Sequence, residues 1–258
     1  MNVLSPCPQC GAPVTLAVEA RFVDCRHCES TLVVDKDKLF FHYLLPPNLD
    51  LPHAEGSVRR WMSGDLTPRN LASQARFESS QKKMYPVWMI TFDSDGRRFV
   101  RQTPARGDMP AELSSLMVPA GALEFYESES AAGFEALAHD ISADSAQESM
   151  NRQLDLLAGK GQSLTIARAV LVHIPLFVLT YRYRNRTYHI FVDAAVGDVY
   201  PGRYPAKREL PFVITGLVCF WTMTVAGSLI PGHLFRVAAL ACLACALTVL
   251  AYFTASRV

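Results

Sequence analysis

Pro211-Phe212-Val213-Ile214-Thr215-Gly216-Leu217-Val218-Cys219-Phe220-Trp221-Thr222-Met223-Thr224-Val225-Ala226-Gly227-Ser228-Leu229-Ile230 is a run of twenty residues without a charge. After Pro231-Gly232-His233 a second apolar run fills residues 234–255. At a rise of 1.5 Å per residue, about twenty helical residues cross the roughly 30 Å of a bilayer's hydrocarbon core. The two runs therefore predict a transmembrane helical hairpin over residues 211–258. The first run offers only Thr215, Thr222, Thr224 and Ser228 as polar side chains, so it lacks the solvated face of a helix packed on a soluble core. Ala238, Ala241, Cys242 and Cys245 make a small-residue stripe suited to close packing near Gly216 and Gly227.

Working outward, charge sets the expected orientation. The chain has 25 Lys and Arg against 24 Asp and Glu, a net charge of +1. Only Arg236 and Arg257 of all charged residues lie beyond residue 210, so residues 1–210 carry a net charge of −1. Phosphate recognition rests on a basic excess, so nucleic acid is not the expected partner. Arg203, Lys207, Arg208 and Arg257 flank one side of the hairpin and Arg236 the other, which predicts both termini in the cytoplasm. Met1-Asn2-Val3-Leu4-Ser5-Pro6-Cys7 lacks the build of a signal peptide, so the large domain is expected to stay on that side.

Cys7-Pro8-Gln9-Cys10-Gly11 and Cys25-Arg26-His27-Cys28 are two C-x-x-C pairs with fourteen residues between them. Each pair can aim two thiolates at one metal, and the two together complete the tetrahedron that Zn²⁺ accepts. Cys7, Cys10, Cys25 and Cys28 are thus the predicted ligands of a structural zinc, with residues 1–38 forming a small β zinc ribbon. Val14, Leu16 and Val18 alternate as a strand does, Phe22 and Val23 lead into the second pair, and Thr31 to Val34 supply a third strand. A redox pair would need a βαβ context that is missing, and disulfides are disfavoured in a reducing cytoplasm. His27 reads as filler of the second turn. Four ligands leave no position open for water. Arg21, Arg26, Lys36 and Lys38 face Glu19, Asp24, Glu29, Asp35 and Asp37, and Zn²⁺ with four thiolates adds a formal −2, so protein contact is expected in place of phosphate.

Residues 39–210 predict an α+β domain. Leu39 to Leu45 reads as a strand, residues 53–63 as a short helix, and Thr67-Pro68 as the N-cap of another. Residues 112–117, 131–141 and 144–157 are also expected to be helical. Residues 85–99 match residues 174–188 at a constant offset of 89: Pro86 with Pro175, Thr91 with Thr180, Arg97 with Arg186, Phe92 with Tyr181 and Phe99 with Tyr188. Gly96 and Asn185 fall at the same place, and both tolerate the positive φ of a two-residue hairpin turn. Two similar β-hairpins follow, read as an internal duplication, with Phe92 opposite Phe99 and Tyr181 opposite Tyr188.

Catalytic chemistry is not legible. Gly159-Lys160-Gly161-Gln162-Ser163 lacks phosphate-loop spacing and reads as a helix stop. His139, Asp140, His173 and His189 show no paired spacing and read as surface or satisfied residues. Cys219, Cys242 and Cys245 behave as small apolar residues within the expected spans. No nucleophile, carboxylate pair or small-molecule substrate is predicted.

The Cys-Pro-x-Cys-Gly ribbon, the Trp61 helix, Tyr85-Pro86-Val87-Trp88, Tyr188-His189-Ile190-Phe191-Val192, Gly202-x-x-Pro205 and the apolar runs together resemble the bacterial membrane proteins with a transcription-factor-IIB-type zinc ribbon. Asp193-Ala194-Ala195-Val196 departs from the Asn-Gly-x-Thr turn expected there. The resemblance implies a partner such as an SPFH (flotillin-type) or phage-shock scaffold protein at the inner membrane. The expectation is a multi-pass inner-membrane protein and a non-catalytic adaptor that docks or stabilises a protein partner. A tethered nucleic-acid-binding regulator is the alternative.

Overall fold

The computed structural model describes residues 3–17, 20–94, 97–119, 121–127, 129, 131, 133–158, 165–206 and 210–229, and then 237, 240–241, 243–245 and 247–248. The elements are β1 (Val3–Pro6), β2 (Pro13–Leu16), β3 (Phe22–Asp24), β4 (Thr31–Asp35), β5 (Lys38–Leu44), α1 (Leu51–Met62), α2 (Leu71–Gln74), β6 (Arg76–Ser94) and β7 (Arg97–Pro104). A 3-10 turn (Ala111–Ser115) precedes β8 (Glu124–Phe125), β9 (Glu135–Ala136), α3 (Ala143–Ala158), β10 (Thr165–Tyr183), β11 (Arg186–Asp193), β12 (Val199–Pro201) and α4 (Leu210–Leu229). By compactness the chain divides into residues 1–59 with 75–203, and residues 60–74 with 204–258.

The first unit is mostly one mixed sheet of ten strands, which corrects the expected α+β domain between a ribbon and a membrane hairpin. At its centre β6 and β10, each of 19 residues, pair antiparallel along nearly their whole length. β10 carries on its other edge first β5, in parallel through Val170↔Phe41 to His173↔Leu44, and then β11, antiparallel from Leu176↔Asp193 to Tyr183↔Arg186. β6 likewise carries β7 and the short parallel β9. Side chains alternate across a strand. Trp88, Ile90, Phe92, Ala169 and Leu171 therefore share one face, packed with Ala143, Ala146 and Met150 of α3. Val87, Val170, Val172, Ile174 and Leu176 share the other with Leu45, Leu113 and Leu116.

The hairpin registers match expectation. Phe92 lies opposite Phe99 and Tyr181 opposite Tyr188, with parallel-stacked rings whose centroids are 5.5 and 5.3 Å apart. Arg184 and Asn185 hold φ of 46° and 66°, the left-handed pair of a two-residue turn whose twist suits the strands. Asp95 and Gly96 lie outside the described residues.

Residues 131–141 are not the expected helix. Gly133 turns at φ 81°; the Ala131 and Phe134 amides make only local turn bonds, to Glu127 O and Ala131 O, and beyond them the chain bonds outward, Leu137 N–H to Met84 O and the N–H groups of Asp140 and Ile141 to Ala105 O. Tertiary acceptors override the local apolar spacing here.

In the second unit, the Thr67 hydroxyl does not cap a following helix. It donates back to Met62 O at 2.6 Å and Gly64 O at 3.0 Å, closing the end of α1. The Trp61 and Tyr204 rings meet edge to face at 5.2 Å. Among the described residues no helix is long and apolar enough to cross a membrane. In α4 the hydroxyls of Thr222, Thr224 and Ser228 bond back to carbonyls of the preceding turn. The second apolar run, 234–255, lies largely outside the described residues. The two-span membrane hairpin is thereby corrected, and with it the integral membrane association, the multi-pass inner-membrane location and the cytoplasmic placement of both termini.

Candidate metal centre

Two short turns built alike deliver the four cysteines. In the first, the Cys7 N–H donates to Ala12 O at 2.8 Å and the Gly11 N–H to Cys7 O at 2.9 Å; in the second, the Cys25 N–H donates to Ser30 O at 3.0 Å and the Glu29 N–H to Cys25 O at 2.8 Å. Gly11 at φ 76° and Glu29 at φ 61° fill the same left-handed position. Glycine takes it freely and glutamate under strain. The first turn joins β1 to β2, whose Val14 and Leu16 point inward; the second joins β3 to β4. Val18 and Glu19 lie outside the described residues. β4 pairs with β5, so the second turn is held by the edge of the main sheet.

The sulfurs of Cys7, Cys10, Cys25 and Cys28 all lie within 4.8 Å of one another. Cys7 stands 3.7 Å from Cys28, and Cys10 3.7 Å from Cys25. A tetrahedral ion with sulfur bonds of about 2.3 Å needs sulfur–sulfur edges of about 3.8 Å. A disulfide would need about 2.05 Å. The donor set therefore fits a single metal ion, with each nearest pair drawn from both turns. Cys7 and Cys25 are buried at 3% and 1% exposure among Val14, Leu16 and Leu32, while Cys10 is exposed. The Gln9 N–H approaches Cys7 Sγ at 3.4 Å, as suits a thiolate.

Without a cation Cys28 and Cys10 hold their protons unequally. The Ser30 hydroxyl and then its backbone N–H bring the Cys28 thiol down to about 6. The Ala12 N–H favours the Cys10 thiolate, but burial and the other three thiols outweigh it and push Cys10 up to about 12. Bringing four sulfurs together disfavours more than one charge, and a divalent cation relieves that repulsion.

The other sequence candidates do not converge. His189 Nδ1 meets Thr180 Oγ1 at 3.1 Å at an exposed position. Asp140 Oδ1 accepts the Gly107 N–H at 2.8 Å. Residues 159–164 and Cys242 lie outside the described residues, and Cys219 and Cys245 are free. His173 is fully buried against His42, with Nδ1 2.7 Å from His42 Nε2. Sequence reading missed His42, because 131 residues separate the two rings and only the β5–β10 pairing brings them together. Comparison with protein-family models, curated proteins and solved structures finds no match for this chain.

Proposed function

We propose that the four cysteines bind one structural Zn²⁺ and that the protein is a non-catalytic zinc-ribbon module that docks a protein partner. The sulfur arrangement carries this reading: four soft donors at tetrahedral spacing suit zinc and fill its coordination, so no position is left for water or substrate. Charge favours a protein over a nucleic acid. The acidic residues of the ribbon match or exceed its basic ones, and a four-thiolate zinc adds to the negative side. On β1, Leu4 is 68% exposed, an apolar contact on the strand that the metal would brace.

Metal analysis of freshly purified, reduced full-length protein tests the first part. One equivalent of zinc is expected, and less than half an equivalent overturns the site. For the second part, Leu4→Asp should weaken cross-linking of the full chain to its partner without loss of zinc. Strongly salt-dependent binding to DNA or RNA would favour the regulator reading instead, and substrate turnover would overturn the adaptor.

A further inference from the structure

Edge to face, with one ring bonded to Leu137 of residues 135–141, lie two imidazoles that the metal centre does not use. His42 and His173 are 1% and 0% exposed. His42 Nε2 and His173 Nδ1 are 2.7 Å apart, and His173 Nε2 stands 2.9 Å from Leu137 O. The hydrogens follow from the acceptors. A carbonyl oxygen only accepts, so His173 Nε2 carries a hydrogen. In a neutral ring Nδ1 is then bare and accepts, so the hydrogen between the rings belongs to His42 Nε2. His42 Nδ1 is left as a bare lone pair, buried and without a partner among the described residues.

This chain accommodates no further proton. Placed on His173 Nδ1, it would set two N–H groups against each other across 2.7 Å. Placed on His42 Nδ1, it would create a buried donor, and a buried charge, with nothing to receive it. The neighbours offer no relief. The Tyr126 ring stacks on His42 at 4.0 Å and Phe22 at 5.0 Å, and burial keeps the Tyr126 hydroxyl protonated. His139 bears on both rings and is itself pushed toward the neutral form by burial, with Asp35 and Asp140 pulling the other way and Arg21 reinforcing it. No carboxylate acts directly on His42 or His173 among the described residues.

The relay ends on a strap. Residues 135–141 are tied to the sheet by β9, by Leu137 N–H to Met84 O, by Arg106 Nη1 to Ala138 O at 2.7 Å and by Trp88 Nε1 to Ile141 O at 2.8 Å. Of these ties, the His173 bond to Leu137 O is the one made by a titratable ring; its Nε2 hydrogen stays in place when Nδ1 takes a proton, so a proton acts through the opposed His42 N–H and the buried charge.

We propose that the His42–His173 relay is an acid-sensitive latch, holding the strap on the sheet while both rings are neutral and releasing it when a proton enters. Release would bare the β6 edge at Lys83 and Met84, where β9 pairs. Burial takes His42 from 6.5 down to about 2 and His173 to about 4. Because both values are lowered, the latch's contribution is fully present above about pH 6.5 and is lost as pH falls toward those values. The open fraction should grow about tenfold per pH unit for each ring released, and up to about a hundredfold for both.

The test uses the full chain. Nitrogen NMR at pH 7 should find both rings neutral with hydrogen on Nε2, still neutral at pH 5. Amide exchange corrected for intrinsic rates should show opening at residues 137–141 rising at least tenfold per unit between pH 6 and 4.5. His173→Gln, whose amide can donate to Leu137 O and accept from His42 without titrating, should lower that slope by about tenfold per unit. His42→Phe, which keeps a ring against Tyr126, should lower it similarly. An Nδ1–H form of either ring at pH 7, opening independent of pH, or an unchanged slope in a folded variant would overturn the latch. If neither variant folds, the wild-type tautomers and slope decide alone.

Discussion

Tyr85 pairs directly with Ile174 across the central strands, and it is the residue that lies 89 positions before it. A residue can pair with its own repeat equivalent only where a twofold axis passes between them. Outward from that point the equivalences keep step. Pro86↔His173 is mirrored by Met84↔Pro175. The bounds of β6 and β7 fall on those of β10 and β11 at the same offset. The register shifts leave out Glu78 in one strand and Ala167 in the other, again 89 apart. Lys83↔Glu135 and Val172↔Tyr43, both parallel, occupy equivalent edges.

Equivalent geometry predicts equivalent energetics. Double-mutant cycles for Phe92 with Phe99 and for Tyr181 with Tyr188, read by urea unfolding, should each give a coupling of about 0.5–1 kcal/mol. The stacked pairs at 5.5 and 5.3 Å differ little. Coupling in one pair and none in the other would show that the hairpins do not stabilise the sheet alike.

The cysteine turns predict an opposite pair of effects at one backbone position. Glu29→Gly should stabilise the ribbon by about 1 kcal/mol, because its φ of 61° strains a side chain and costs glycine little. Gly11→Ala should cost about as much, since no atom lies within 4 Å of an added Cβ and only the φ of 76° opposes it. Chelator-competition midpoints measure both. A loss from Glu29→Gly would mean that its carboxylate contributes more than the strain removes.

These elements also mark what the sequence could and could not reveal. Short-range chemistry was legible: the C-x-x-C spacing located the sulfur cluster, and aromatic alternation around a two-residue turn fixed both hairpin registers. Where partners are distant, legibility failed. Apart from half-buried Phe77, Arg76 to Lys83 is polar and mostly exposed, without apolar alternation; pairing with β10 makes it a strand. Residues 131–141 have helical apolar spacing, but the amides of Leu137, Asp140 and Ile141 go to Met84 of β6 and to Ala105 just past β7. His42 and His173 meet only through a parallel pairing that no local pattern announces.

Metal removal should separate the ribbon from the rest. Cys7 and Cys25 form the ribbon core with Val14, Leu16 and Leu32, whereas Leu171 and Ile174 sit in the main sheet. Metal-coupled folding is large in small sites, so chelation or Cys25→Ser should strip amide protection from residues 13–16 and 22–24. Residues 171–176 should keep theirs. Equal loss in both regions would mean that the ribbon and sheet unfold as one unit.

Asp193 closes β11 with a carboxyl group that is fully buried. Its Oδ1 accepts the Ala195 N–H at 2.7 Å and the Val196 N–H at 3.4 Å, but Oδ2 has no partner among the described residues. Burial raises the carboxyl's pKa above 3.8, and Asp198 adds to the rise, while the two amide bonds only temper it. The sign follows from the raised value: the folded state holds the proton more tightly, so the group's stabilising contribution is complete below about pH 3.8 and is lost as pH rises through the folded value. Near neutral pH the ionised group is a liability. Asn keeps an acceptor for Ala195 and Val196 and cannot ionise. Its amide nitrogen inherits the unpartnered position, which limits the gain. Asp193→Asn should therefore raise stability by about 1 kcal/mol at pH 7 and give little or no gain at pH 3.5. Urea unfolding at the two pH values measures the difference. An equal effect at both, or a loss at pH 7, would mean that the carboxylate has a cationic or donor partner and is stabilised as the anion.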